Sequence, residues 1–185
     1  MHYTPNRDTG VKFMIDTNAI NARQRDPALN QLEAWRASGA IALLMPDHAF
    51  KEAVAGGDAA REAKASRQVR TNSARISQEQ KCRYAEIERA IFPNGVMSQN
   101  QRNDVEIVYQ AADWRYILVT NDGASQSQPR GILGARAELA RLDVTVMRPQ
   151  EAVEHIRKRI RERDSRVTTV CETRGMETPD WVGRD

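Results

Sequence analysis

Four short apolar runs, VKFMI at 11–15, IALLM at 41–45, YILVT at 116–120 and VTVM at 144–147, are separated by stretches of helical periodicity, and none follows a sustained apolar-polar alternation. A strand buried on both faces reads as a nearly continuous apolar run, whereas a half-solvated strand alternates. The expected fold is therefore α/β: a three-layer α/β/α arrangement with a central, mostly parallel sheet of Rossmann-like build. Ligands of such open sheets bind beyond the carboxyl ends of the strands, so the residues just after each run are the first candidates for function.

Helices fill the intervals. Leu29, Leu32 and Trp35 recur at three-residue steps between Pro27 and Ser38, and Gly39 ends that stripe. After IALLM, Pro46 closes the strand and Asp47 is placed to cap a helix carrying Phe50, Glu52, Ala53 and Val54. Gly56 and Gly57 break it, and Asp58 starts a long polar helix expected to run toward Ile76. A second helical stretch from Ser77 to Phe92 buries Tyr84, Ile87 and Ile91, and PNG at 93–95 turns the chain. Asn103 is the expected cap of a helix carrying Val105, Ile107, Val108, Ala111 and Ala112. Further helices are expected over 131–142 and 149–163, the last crowded with Arg157, Lys158, Arg159, Arg161 and Arg163. The pattern implies one domain over 11–163 with a basic helical insertion around 58–100, an N-terminal tail over 1–10, and an aperiodic C-terminal tail over 164–185 in which Trp181 is suited to docking.

At 185 residues the chain suffices for one α/β domain and is short for two. Its 28 Lys and Arg are nearly offset by 25 Asp and Glu, so the net charge of +3 says little about partners. The distribution says more: Arg61, Lys64, Arg67, Arg70, Arg75, Lys81, Arg83, Arg89 and Arg102 face four glutamates, Glu62, Glu79, Glu86 and Glu88, in the same segment. Aromatic residues make up 5% of the chain, too few for a base-stacking platform, so affinity for nucleic acid would rest on charge. Cys82 and Cys171 have no metal-ligand spacing, which argues against a zinc site or a disulfide framework and fits a reducing cytoplasm. No apolar run approaches the roughly 18 residues of a membrane span or the pattern of an export signal.

Four carboxylates carry the chemistry. Asp16 follows VKFMI directly, Asp122 follows YILVT, and Glu52 and Asp104 sit in the opening turns of expected helices, so the fold is able to gather all four at one edge. Singly, each has an ordinary use: Asp16 as a helix cap, Asp122 in an Asp-Gly turn, Glu52 facing solvent, Asp104 favoured by a helix dipole. Together they are the hard oxygen donors that Mg²⁺ or Mn²⁺ takes, and the quartet would repel itself without a cation. A cation there supplies a nucleophilic water and polarises a phosphate.

DTN at 16–18 after an apolar strand, Glu52 after LLMP, Asp104 opening an alanine-bearing helix and LVTND at 118–122 together resemble the PIN-domain family of metal-dependent ribonucleases, most of all the VapC-type toxins of bacterial toxin–antitoxin pairs. The likeness covers roughly residues 11–150 and rests on order and spacing. It implies a PIN-like fold in which Asp16, Glu52, Asp104 and Asp122 hold Mg²⁺ or Mn²⁺, with Asn18 and Thr120 orienting water or a carboxylate. The implied activity is hydrolysis of phosphodiester bonds in single-stranded or looped RNA, leaving 5′-phosphate and 3′-hydroxyl ends. RNA, an antitoxin protein and a second copy of the chain are the implied partners. Arg61, Lys64, Arg67 and Arg75 are spaced to form a phosphate-holding strip or, equally, a solvated helix surface. Two features depart from the compact toxins, the longer segment between Glu52 and Asp104 and the charged helix and tail that continue past the last strand of the resemblance; TNDGAS at 120–125 also offers no further acid for a second metal.

Other readings fit less well. A phosphatase of the haloacid dehalogenase type needs an Asp two positions after the first, where this chain has Asn18. Dinucleotide binding needs a glycine-rich turn that DTNAIN at 16–21 lacks. The competing class is a catalytically inactive PIN-like module that binds RNA or a partner protein.

Overall fold

A computed structural model describes residues 4–16, 25–46, 50–51, 59, 63, 69–71, 77–123 and 130–185. Its elements run in the order β1 (Lys12–Ile15), α1 (Pro27–Ala37), β2 (Ala42–Pro46), β3 (Val69–Thr71), α2 (Gln78–Ile91), α3 (Gln99–Asp113), β4 (Ile117–Val119), α4 (Gly131–Gly134), α5 (Arg136–Ala140), β5 (Val146–Met147) and α6 (Pro149–Arg174). Among the described residues, five strands form one sheet in the order β3-β2-β1-β4-β5, and each of their pairings is parallel.

Strand order explains the unbroken apolar runs. β1 is central, and its successive side chains enter opposite layers: Phe13 and Ile15 pack with Leu29, Leu32 and Trp35 of α1 and with Ala152, Val153 and Ile156 of α6. Met14 packs on the other side with Ile87 and Ile91 of α2, Val105 and Val108 of α3, and Ile132 of α4. Both faces are covered, so period-2 alternation has no polar half to reveal it. The α/β expectation therefore holds, with a wholly parallel sheet.

Local chemistry sets the helix ends. Asp26 caps α1 by accepting from the amides of Ala28 and Leu29, ahead of Pro27 in the first turn. Ser77 and Gln80 close a reciprocal capping box on α2. The α2–α3 pair is antiparallel, since Gln80 donates to Asp113 and the rings of Tyr84 and Tyr109 meet at 5.4 Å.

Four expectations are corrected. The long polar helix toward Ile76 is interrupted by edge strand β3, which pairs with β2 from Leu44↔Val69 to Pro46↔Thr71. Asn103 is not a cap: α3 starts more than a turn earlier, where Ser98 accepts from the amide of Gln101. The helix expected over 131–142 is two short pieces, α4 and α5, divided at Ala135, after a glycine at each end of α4 has weakened helix propensity. The aperiodic tail expected from residue 164 is helix as far as Arg174, ended by Gly175 in the left-handed conformation.

The closing residues are also anchored. Arg163, 3% exposed at a core position of α6, donates to Asp164, to Asp185 and to the backbone oxygen of Arg7, and Trp181 lies 4.8 Å from its guanidinium carbon. Asp185 also accepts from Arg7 and Ser38. Burial opposes its charge, but the hydrogen bonds from Arg7, Arg163 and Ser38 outweigh that and hold the carboxyl below its ordinary value.

Asp185→Asn leaves the buried Arg163 charge short of a partner, at a cost of about 3 kcal/mol and roughly 6–12 °C in Tm by thermal denaturation. The sign with pH follows from the lowered carboxyl. Its contribution is complete above the unfolded aspartate value of about 3.9 and is lost as pH falls through the lower folded value, so the destabilisation caused by the substitution should shrink in that acidic window. A Tm equal to that of the wild type at pH 7 contradicts this account.

Candidate active site

In the order β3-β2-β1-β4-β5, the chain leaves β1 toward β2 on one side and later fills β4 on the other, so the gap at the carboxyl ends of β1 and β4 is the topological switch point where ligands of such sheets bind. Asp16 follows β1 there and Thr120 follows β4. The parallel ladder extends one step past the strands, with the Asp16 amide donating to Val119 O at 3.2 Å and the Thr120 amide to Met147 O at 3.1 Å. Because Ile15 pairs with Val119, Asp16 and Thr120 come next in register on the face shared by Met14 and Leu118.

Their side chains meet. Thr120 Oγ1 donates to Asp16 Oδ2 at 2.9 Å, with Thr120 fully buried and Asp16 8% exposed. The same hydroxyl accepts from the Asp122 amide at 2.9 Å. The Asp122 carboxylate turns toward α4, where Oδ2 accepts from the Ile132 amide at 2.6 Å, while its backbone oxygen accepts from Leu133. Burial raises the pKa of the Asp122 carboxyl, and the Ile132 hydrogen bond works against that rise.

Gly131 makes the approach of α4 possible. It has φ +58°, and a Cβ there would run into the carbonyl group of Gly123, 2.7 Å from its carbon. Segments 122–123 and 131–132 are thus in direct backbone contact.

Asp104 lies on α3, which connects to β4 through a short turn and so has its N-terminal end toward the carboxyl edge. It is partly buried, on the stripe that continues through Val108 and Ala111. With the helix starting at Gln99, Asp104 is beyond the first turn, which contains no acid, and the dipole explanation for it loses force. Antiparallel pairing sets the last turns of α2, with exposed Arg89, beside the first turns of α3, with exposed Arg102.

Asp16, Thr120 and Asp122 are therefore brought together, and α3 carries Asp104 to the same side of the sheet. Glu52, Asn18, Arg61, Lys64, Arg67 and Arg75 lie outside the described residues. Among the described residues, no three His, Cys, Asp or Glu side chains are grouped to hold a metal ion. The donors at the edge suit Mg²⁺ or Mn²⁺ in kind, being carboxylate oxygens, and Mg²⁺ commonly takes one or two carboxylates with water and substrate phosphate in its other positions. The Ile132 amide and the Gly131–Gly123 contact have no counterpart in the sequence reading; GILG at 131–134, with its paired glycines, was the available signal.

No described helix is long and apolar enough to cross a membrane. No family model matches the chain, and no curated protein does. Among solved structures, the fold aligns with VapBC2 from Rickettsia felis bound to a DNA fragment from its promoter, at 16% identity and a TM-score of 0.48, covering 75% of this chain and 98% of the matched one. That likeness is too slight to assign a family.

Proposed function

We propose that the chain is a divalent-metal-dependent endoribonuclease acting on single-stranded or looped RNA. The observation that carries this reading is the buried Asp16 carboxylate at the β1–β4 switch point, held by the Thr120 hydroxyl at 2.9 Å. Carboxylates drawn from Asp16, Glu52, Asp104 and Asp122 hold Mg²⁺ or Mn²⁺. When bound, the cation supplies a nucleophilic water and offsets charge on the scissile phosphate. The protein's part is to present a desolvated, oriented carboxylate at the carboxyl edge of the sheet.

Arg89 and Arg102 are the described part of the basic segment that topology directs to this edge, and both are exposed. They position RNA through its phosphates, with little reading of bases. The resemblance of the Asp16, Glu52, Asp104 and Asp122 motifs to the VapC-type toxins extends the proposal to a toxin with an antitoxin partner, and to a homodimer.

Three experiments test this. Labelled single-stranded RNA should be cut in Mg²⁺ or Mn²⁺ and spared after chelation, and Asp16→Asn should cut roughly a hundredfold more slowly or worse; RNA that is bound but never cut would instead establish the inactive module. Replacing Arg89 and Arg102 together by alanine should weaken RNA binding and flatten the slope of log affinity against log salt by about 1.4, the value for two lost contacts to a single strand. An unchanged slope removes them from the substrate path. Expression should arrest growth, with relief by Asp16→Asn or Asp104→Asn, whereas harmless expression of an active nuclease rules out a free-standing toxin.

A further inference from the structure

A chain of three hydrogen bonds runs from the start of α4 to Asp16. Ile132 N–H donates to Asp122 Oδ2 at 2.6 Å, Asp122 N–H donates to Thr120 Oγ1 at 2.9 Å, and Thr120 O–H donates to Asp16 Oδ2 at 2.9 Å. The direction is fixed at each step. An amide N–H has only a proton to give, so the Thr120 oxygen accepts from Asp122 and its own proton is left for the carboxylate of Asp16. The last link is buried, with Thr120 at 0% and Asp16 at 8% exposure, and the other two are partly buried. They are also backed by rigid contact, because Gly131 abuts the Gly123 carbonyl with no room for a Cβ.

We propose that Asp122 is a positioning residue: acting between Ile132 and Thr120, it fixes how the Asp16 carboxylate is hydrogen-bonded and oriented, and it does not ligate the cation. The inference rests on the metal-nuclease reading and divides the labour among its acids. Its carboxylate is drawn toward α4, where Oδ2 accepts from the Ile132 amide at 2.6 Å. The two roles make different demands on the side chain. Positioning needs an oxygen to receive the Ile132 amide, which asparagine supplies; ligation needs the negative charge, which asparagine lacks.

Mn²⁺ titration followed by electron paramagnetic resonance, together with amide hydrogen exchange at Ile132, separates them in the full chain. Asp122→Asn should bind Mn²⁺ within a few-fold of wild type and keep the Ile132 amide protected. Asp122→Ala should lose roughly 10–100-fold in Mn²⁺ affinity, the usual cost of removing a group that orients a ligand, and should lose protection at Ile132. Asp16→Asn should abolish Mn²⁺ uptake while leaving Ile132 protected. Should the alanine variant not fold, Thr120→Ser and Thr120→Val provide the same contrast, serine keeping the hydroxyl and valine keeping the shape without it. Asp122→Asn as weak as Asp122→Ala, with Ile132 still protected, makes Asp122 a ligand and overturns the inference while sparing the metal reading. Wild-type affinity in Thr120→Val, or rapid exchange at Ile132 in the wild type, overturns it as well. Wild type that takes up no Mn²⁺ is a separate failure, which removes the metal reading and this inference with it.

Discussion

Burial of β1 on all sides is the constraint from which the rest follows. It has β2 on one edge and β4 on the other, and apolar layers above and below, so its backbone polar groups are met by neighbouring strands and the side chains of Phe13, Met14 and Ile15 by the two cores. Where the apolar run stops, the next side chain is a carboxylate still largely out of water. A buried charge of that kind needs hydrogen bonds, and the residue that follows β4 in register provides one. The fold thus prepares Asp16 by leaving it at the place where the sheet can no longer hide a charge and solvent does not yet fully reach it.

The same edge shows how polar contacts join the end of β4 to α4. Residues 120–123 are tied to the start of α4 by polar links: the Asp122 amide donates to the Thr120 hydroxyl, the Ile132 amide donates to the Asp122 carboxylate, and Gly131 sits close enough to touch the Gly123 backbone. Desolvation keeps such links short of competing water but raises the cost of leaving any of them unmade. Precision at Asp16 therefore depends on residues up to position 132, well outside the acids themselves.

Much of this was legible in sequence, for reasons that can be named. The apolar runs ending at Ile15, Met45 and Val119 announced a doubly covered sheet, and Asp16 and Thr120 just after β1 and β4 marked the edge where their side chains meet. β3 was hidden because Val69 and Thr71 flank Arg70 in a charged stretch that reads as helix, and an edge strand need not be apolar. The extension of α6 was hidden differently. Ile156, Ile160, Arg163, Val167 and Cys171 form one buried stripe, but the arginine in its middle breaks the apolar count, and the aspartates that justify its burial lie at 164 and 185. The support for Asp16 from Ile132 was least visible, since a backbone amide leaves no mark in a string of side chains.

The arginine-aspartate cluster has a practical consequence. It draws residue 7, just ahead of β1, and residue 185 into a common knot on the flank where the strands begin, across the sheet from the acids. Groups attached beside residue 185 therefore lie on that far flank and keep clear of the edge that carries Asp16.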